Sequence, residues 1–177
     1  MKNSSNIFKK VKLLLLDVDG VLTRGEIIYD DQGRELKRFN VKDGLGVVLL
    51  NRVGIQTIIV TAKDGNCVRR RAQDMRVAEV IGGITPKESI LPGVLKKYQV
   101  KAGEVCFMGD DIIDIGIMQM VGVGVAVADA HHEVKKIAQY VTKKCGGEGA
   151  VREVIDLILK ARNLKRRVRE WVKNPAW

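Results

Sequence analysis

The sequence predicts an α/β fold, a Rossmann-like and mostly parallel sheet with helices on both faces. Short apolar and β-branched runs alternate along the chain with helical patterns, the signature of a sheet wound through crossover helices. The first such run, "LLLL" (Leu13 to Leu16), is apolar throughout, as a strand covered on both faces must be. Acids, or a threonine, stand directly after several of these runs, and open α/β sheets bind ligands outside the carboxyl ends of their strands.

The elements follow in order. After the first strand, "EIIYDDQGRELKRFN" places two β-forming runs around the turn-like "DDQG", a candidate hairpin over about 26–40. "DGLGVVLLNRVG" predicts a helix with Asp43 as N-cap and Gly54 as its stop. "TIIV" is a short buried strand, "NCVRRRAQDM" a helix with a basic outer face, and "EVI" a candidate strand. "TPKE" predicts a helix start, with Thr85 and Glu88 as a capping box and Pro86 in the first turn, running to about Tyr98. "EVCFM" is the next strand, "DIIDIGIMQMVG" the next helix, and "VGVAVAD" a strand of small and β-branched residues. "AHHEVKKIAQ" is a short helix and "YV" a candidate edge strand. In the last helix Val151, Val154, Ile155, Ile158 and Leu159 form one apolar stripe.

With 177 residues, 46% hydrophobic and 29% charged, the chain is expected to be one domain over 1–177, ending in a basic tail at about 163–177. A net charge of +10 suits an anionic partner such as a phosphorylated metabolite. Much of that charge lies in "KARNLKRRVREWVK", which is expected to be a solvated helix end, with neither nucleic acid nor membrane as partner. Cys67, Cys106 and Cys145 are odd in number and lack a C-x-x-C, which fits a reducing, cytoplasmic setting better than a disulfide or zinc framework.

A buried strand that ends in two carboxylates raises a question of charge. Burying an unpaired carboxylate costs several kcal/mol or shifts its pKa until it is neutral. "LLLLDVDGVLT" sets Asp17 and Asp19 after the first strand, two apart and therefore on one side of an extended chain, with Gly20 freeing the turn. Thr61 follows "TIIV". Gly109, Asp110 and Asp111 follow "EVCFM", with Asp114 a turn later, and Lys87 opens the "TPKE" segment. Several carboxylates can share one rim if a hard cation compensates them, and Mg²⁺ takes one or two carboxylates while keeping places for water or phosphate. These are the parts of phosphoryl transfer. Asp17 is the candidate nucleophile, forming an aspartyl-phosphate. Asp19 is the candidate acid and base. Thr61 would hydrogen-bond a phosphoryl oxygen, Lys87 would neutralise its charge opposite Mg²⁺, and Asp110 would ligate the metal.

In this order, "DVDGVLT", Thr61, Lys87 and "GDDIID" resemble the four motifs of the haloacid dehalogenase (HAD) superfamily of phosphohydrolases. The resemblance implies that the metal is held by Asp17, by the backbone carbonyl of Asp19 and by Asp110, with Asp111 and Asp114 behind them. Only the hairpin and one helix fit between Asp19 and Thr61, so the chain is expected to be capless. "FNVKDGLGV", "VAVADAH" and "GGEGAVREV" are further similar to the 3-deoxy-D-manno-octulosonate 8-phosphate (KDO 8-P) phosphatases, from about Leu13 to Arg162. That likeness implies hydrolysis of KDO 8-P in lipopolysaccharide precursor synthesis, by a homotetramer whose hairpins pack at the centre and whose neighbouring subunits help close each site. The nearest alternative is a nine-carbon 2-keto-3-deoxy sugar acid phosphate as substrate. A receiver-like phospho-acceptor domain is the alternative from another class, but a receiver has adjacent acids and its phosphate-accepting Asp on a later strand.

The chain departs from the family pattern in its basic tail after Arg162, where the family has a glycine-containing tail, and at two places nearer the motifs. Ala62-Lys63 follows the motif threonine where Gly-Arg is usual, and Lys42 stands where Arg is frequent. Lys keeps the charge and loses the bidentate fork. Lys63 and Arg71, helped by Lys42, are the candidates for the substrate carboxylate. Arg71 also reads as an exposed helix residue, and Gly146, Gly147 and Gly149 as either a helix-entry loop or active-site backbone. His131 and His132 read as helix-start residues rather than metal ligands.

Overall fold

The structure is a computed structural model that describes residues 6–173. Six parallel strands form its sheet: β1 (Leu13–Leu16), β4 (Gln56–Thr61), β5 (Glu79–Gly82), β6 (Val105–Gly109), β7 (Val123–Ala126) and β8 (Tyr140–Val141). Their order across the sheet is β5-β4-β1-β6-β7-β8. β1 lies in the middle, with Leu16 opposite Ile59 of β4 and Met108 of β6. That central place is why its four leucines are all buried, and why the carboxyl ends of β1, β4 and β6 share one rim. "YV" is one of the two edge strands, with β5 at the other side.

Helices α1 (Val41–Arg52), α2 (Asn66–Asp74), α3 (Leu91–Tyr98), α4 (Ile115–Met120), α5 (His132–Ile137) and α6 (Ala150–Ala161) cover the sheet, and α7 (Lys165–Lys173) follows. The stripe of α6 is buried at every expected position, from Val151 to Leu159. The candidate hairpin is real but short, β2 (Ile28–Tyr29) against β3 (Glu35–Leu36). Of the basic tail, residues 163–173 are described and 174–177 lie outside the described residues. α7 carries most of its charge outward, and Val168 packs on the core.

Two helix starts differ from expectation. Asn40 caps α1, its side chain accepting from the Lys42 N–H, and Asp43 is buried in the first turn, where Oδ1 accepts the Arg152 N–H at 2.7 Å. Asp43 thus ties α1 to α6 rather than capping its own helix. The Thr85–Glu88 capping box does not form. Lys87–Ile90 is a 3₁₀ turn without a side-chain cap, α3 starts only at Leu91, and Glu88 lies against Gly116 of α4 instead of reaching back. Similarly, "DIIDIGIMQMVG" opens with a 3₁₀ turn at Ile112–Asp114, and α4 begins at Ile115.

Candidate active site

The rim at the ends of β1, β4 and β6 encloses a cavity of about 260 Å³. Asp17, Asp19, Thr61, Lys63, Lys87, Asp110 and Asp111 line it. The chain folds so because each residue sits at the last position of a strand, just beyond one, or on a turn that faces it. Asp17 follows β1 and donates its N–H to the Met108 carbonyl of β6, which continues the sheet by one residue. Gly20, at φ 84°, turns the chain below the two acids, and a Cβ there would overlap the Asp110 carboxylate. Glycine is required at that point both for the backbone angle and for the close approach.

Lys87 is fully buried, an expensive position for an ammonium unless it is paired. It is paired twice, with Asp17 Oδ1 at 2.7 Å and Asp114 Oδ1 at 2.6 Å. The other oxygen of Asp114 accepts the Asp110 N–H at 2.9 Å and the Asp111 N–H at 3.3 Å. Asp114 is therefore spent on positioning: it holds Lys87 and fixes the loop that carries Asp110. Thr61 is buried, its hydroxyl donating to the Lys63 carbonyl and accepting the Lys63 N–H, so it shapes the turn that brings Lys63 to the cavity.

The electrostatics show a surplus of negative charge. Burial pushes the Asp17 carboxyl up to about 6, aided by Asp114 and opposed by Lys87. Burial, then the repulsion of Asp17, Asp114 and Asp111, pushes Asp110 up to about 8. One oxygen from each of Asp17, Asp110 and Asp114 lies within 4.8 Å of the others. Since both Asp114 oxygens are engaged, Asp17 and Asp110 are the acids with ligand capacity to spare. An all-oxygen donor set with uncompensated charge fits a hard divalent cation such as Mg²⁺.

Of the substrate candidates, only Lys63 lines this cavity. Arg71 is turned to the start of α1. Its guanidinium donates to the Asn40 carbonyl at 3.1 Å, lies 5.8 Å from the Phe39 ring centroid, and occupies space that Gly44 leaves open. It lines a neighbouring hollow with Phe39 and Cys67. Lys42 is exposed on a separate groove between α1 and α6, with Lys143, Lys144 and Lys160. Within one copy of the chain, neither reaches the acids.

Of the loop glycines, Gly146 and Gly147 pack on the backbone of Gly20 and Thr23, and the Gly147 N–H donates to the Val21 carbonyl. They buttress the D-x-D loop, and Gly149 caps α6. His131 caps α5 through its side chain, while its N–H donates to the Asp110 carbonyl.

Lys37 and Glu35 escaped the sequence analysis. Lys37 Nζ donates to Asp19 Oδ1 and lies 3.2 Å from Glu35 Oε1, and Glu35 in turn pairs with Lys63 at 3.0 Å. The signal was a period of two. Glu35 lies in β3 and Lys37 directly follows it, two residues apart and so able to face one side of an extended chain.

Comparison with known proteins agrees with this geometry. The model of a haloacid dehalogenase-like hydrolase family matches residues 54–155. The chain is 40% identical over 153 residues to the 3-deoxy-D-manno-octulosonate 8-phosphate phosphatase KdsC of Escherichia coli (strain K12), covering 86% of this chain and 81% of that one. Among solved structures, the enzyme of that name from Yersinia pestis superposes with a TM-score of 0.89 at 39% identity, covering 92% of this chain and 88% of the other. The one from Moraxella catarrhalis, solved in complex with a magnesium ion, a phosphate ion and a KDO molecule, gives 0.92 at 36% identity, with 97% and 99% covered.

Proposed function

The chain belongs to the haloacid dehalogenase-like hydrolases, and from that membership we propose that it is a Mg²⁺-dependent KDO 8-phosphate phosphatase acting through an aspartyl-phosphate on Asp17. The observation that carries the mechanism is the convergence of Asp17, Asp19, Thr61, Lys87 and Asp110 on one cavity.

Asp17, Asp110 and the backbone carbonyl of Asp19 would hold the metal. When bound, Mg²⁺ supplies charge neutralisation for the carboxylates and the phosphoryl group. Lys87 holds Asp17 Oδ1, which fixes the carboxylate and leaves its other oxygen to attack phosphorus. The P–O bond to the sugar breaks as the bond to Asp17 forms, and Asp19 donates a proton to the departing C8 oxygen. Asp19 then accepts a proton from the water that attacks the aspartyl-phosphate, releasing phosphate and restoring Asp17. Lys87 stays ionised throughout: its pairing with Asp17 and Asp114 outweighs its burial and holds its pKa above the usual lysine range.

Lys63 is the candidate for the substrate carboxylate within the chain. Arg71 and Lys42 would take part only across a subunit boundary. A homotetramer is part of this reading, supported by the apolar side chains on and near the hairpin: Ile27 is 68% and Tyr29 61% exposed. The three cysteines are free, in keeping with a cytoplasmic setting. Among the described residues no helix is long and apolar enough to cross a membrane. The test is phosphate release from KDO 8-P and from its nine-carbon homologue, each with Mg²⁺ and with EDTA. The expected result is Mg²⁺-dependent release with KDO 8-P preferred. Preference for the nine-carbon acid would reassign the substrate and leave the chemistry standing.

A further inference from the structure

We propose that Lys37, on the hairpin, is the positioning residue of the proton-transfer step: it holds the Asp19 carboxylate by one oxygen, so that the other faces the leaving-group oxygen. This rests on the assignment of Asp19 as acid and base. Lys37 is not a surface lysine that happens to meet an acid. Its side chain is 5% exposed, and its ammonium is shared between Asp19 Oδ1 and Glu35 Oε1. Glu35 passes the chain of alternating charges on to Lys63. Asp19 and Lys63 both line the catalytic cavity, one from the loop after β1 and one from the loop after β4. The hairpin segment supplies the two charges that link them. A two-stranded ribbon is marginal by itself, so these ion pairs also anchor the hairpin to the site.

The chemistry gives the pairing a direction. A lysine ammonium on Oδ1 restricts rotation of the Asp19 carboxyl and leaves Oδ2 as the oxygen that can meet the leaving group. Proton donation matters in proportion to the basicity of the leaving group. An alkoxide, as from a sugar C8 or glycerol, needs the proton, whereas p-nitrophenolate leaves without one. A residue that acts through Asp19 must therefore be felt more strongly on alkyl phosphates than on aryl phosphates.

The experiment measures kcat/KM, which for this sequence of steps ends with transfer to Asp17 and departure of the alcohol. The substrates are KDO 8-P, glycerol 2-phosphate and p-nitrophenyl phosphate. The proteins are the full chain, Lys37→Met, Lys37→Arg, Asp19→Asn and the double variant Lys37→Met/Asp19→Asn. For Lys37→Met the ratio of kcat/KM on either alkyl phosphate to that on p-nitrophenyl phosphate should fall on the order of 10-fold or more, within the 10²–10⁴-fold that a positioned acid contributes. Lys37→Arg should recover part of the loss, and Lys37→Met should add nothing in the Asp19→Asn background. Equal losses on all three substrates would overturn the proposal in favour of a structural role. So would a loss on KDO 8-P alone, which would make Lys37 a sugar-binding residue, and so would additive losses in the double variant. If Asp19→Asn itself showed no leaving-group dependence, the assignment of Asp19 as the acid would fall first.

Discussion

Asp17 and Asp110 carry the consequences of crowding acids around one buried lysine. Asp17→Asn is near-isosteric and a poor nucleophile, so turnover should disappear while the melting temperature stays close to that of the parent chain. Asp19→Asn should retain some activity and lose on the order of 10²–10⁴-fold. The two raised carboxyls also make a prediction about pH. Both titrate above their ordinary 3.8, at about 6 and about 8, so the metal-free folded state binds more protons than the unfolded chain across that interval. Their contribution to stability is then fully present below about 4 and is lost as pH rises toward about 8. Mg²⁺ competes with these protons, so its stabilisation of the protein in a thermal melt should be larger at pH 8 than at pH 6; an equal or smaller shift at pH 8 would contradict the surplus of charge. Gly20→Ala pushes a methyl group against the Asp110 carboxylate at a backbone angle that suits glycine, and should weaken Mg²⁺ binding measured by calorimetry.

The elements explain how much of this was legible in the sequence. Strands and long amphipathic helices were, because burial enforces their periods: the leucines of β1 and the stripe of α6 lie where the pattern puts them. The acids and Lys87 were legible because a charge beside a buried strand has few other uses. Local capping rules failed where a side chain has a tertiary employer. Asp43 serves Arg152 of α6 and Glu88 packs on Gly116, so neither caps its own helix. The partners of Arg71 and Lys37 were hidden for the same reason. Sequence distance hides that Arg71 clamps the start of α1 at Asn40 and that Lys37 crosses to Asp19. Asn40 does three things at this corner: it caps α1, receives Arg71 on its carbonyl and donates its side-chain amide to the Gly147 carbonyl at 3.2 Å. Asn40→Ala should cost about 1 kcal/mol from the lost cap, read as a lower denaturant midpoint, and somewhat more if the Gly147 bond also counts.

Across the whole molecule, a capless site beside a small hairpin with exposed Ile27, Tyr29 and Leu36 is expected to be completed by association. Light scattering at micromolar concentration should give a tetramer, and Ile27→Ser with Tyr29→Ser should weaken it; a monomeric parent chain would contradict that assembly. The substrate's two anionic ends divide the remaining work. Lys63→Ala should mainly raise KM for KDO 8-P, by the equivalent of about 1.5–3 kcal/mol for a lost charged hydrogen bond. The carboxylate it would hold hardly changes charge during phosphoryl transfer, so the effect belongs in binding more than in kcat. In the proposed mechanism the phosphoryl group passes through Asp17. That step is tested most directly by quenching the enzyme during turnover of KDO 8-P with Mg²⁺, reducing the acyl phosphate with borohydride, and reading the peptide around Leu13 to Thr23 by mass spectrometry. Reduction of Asp17 to homoserine, only in the presence of both substrate and metal, is the expected result. An unmodified Asp17, or modification at Asp19 or Asp110 instead, would contradict it.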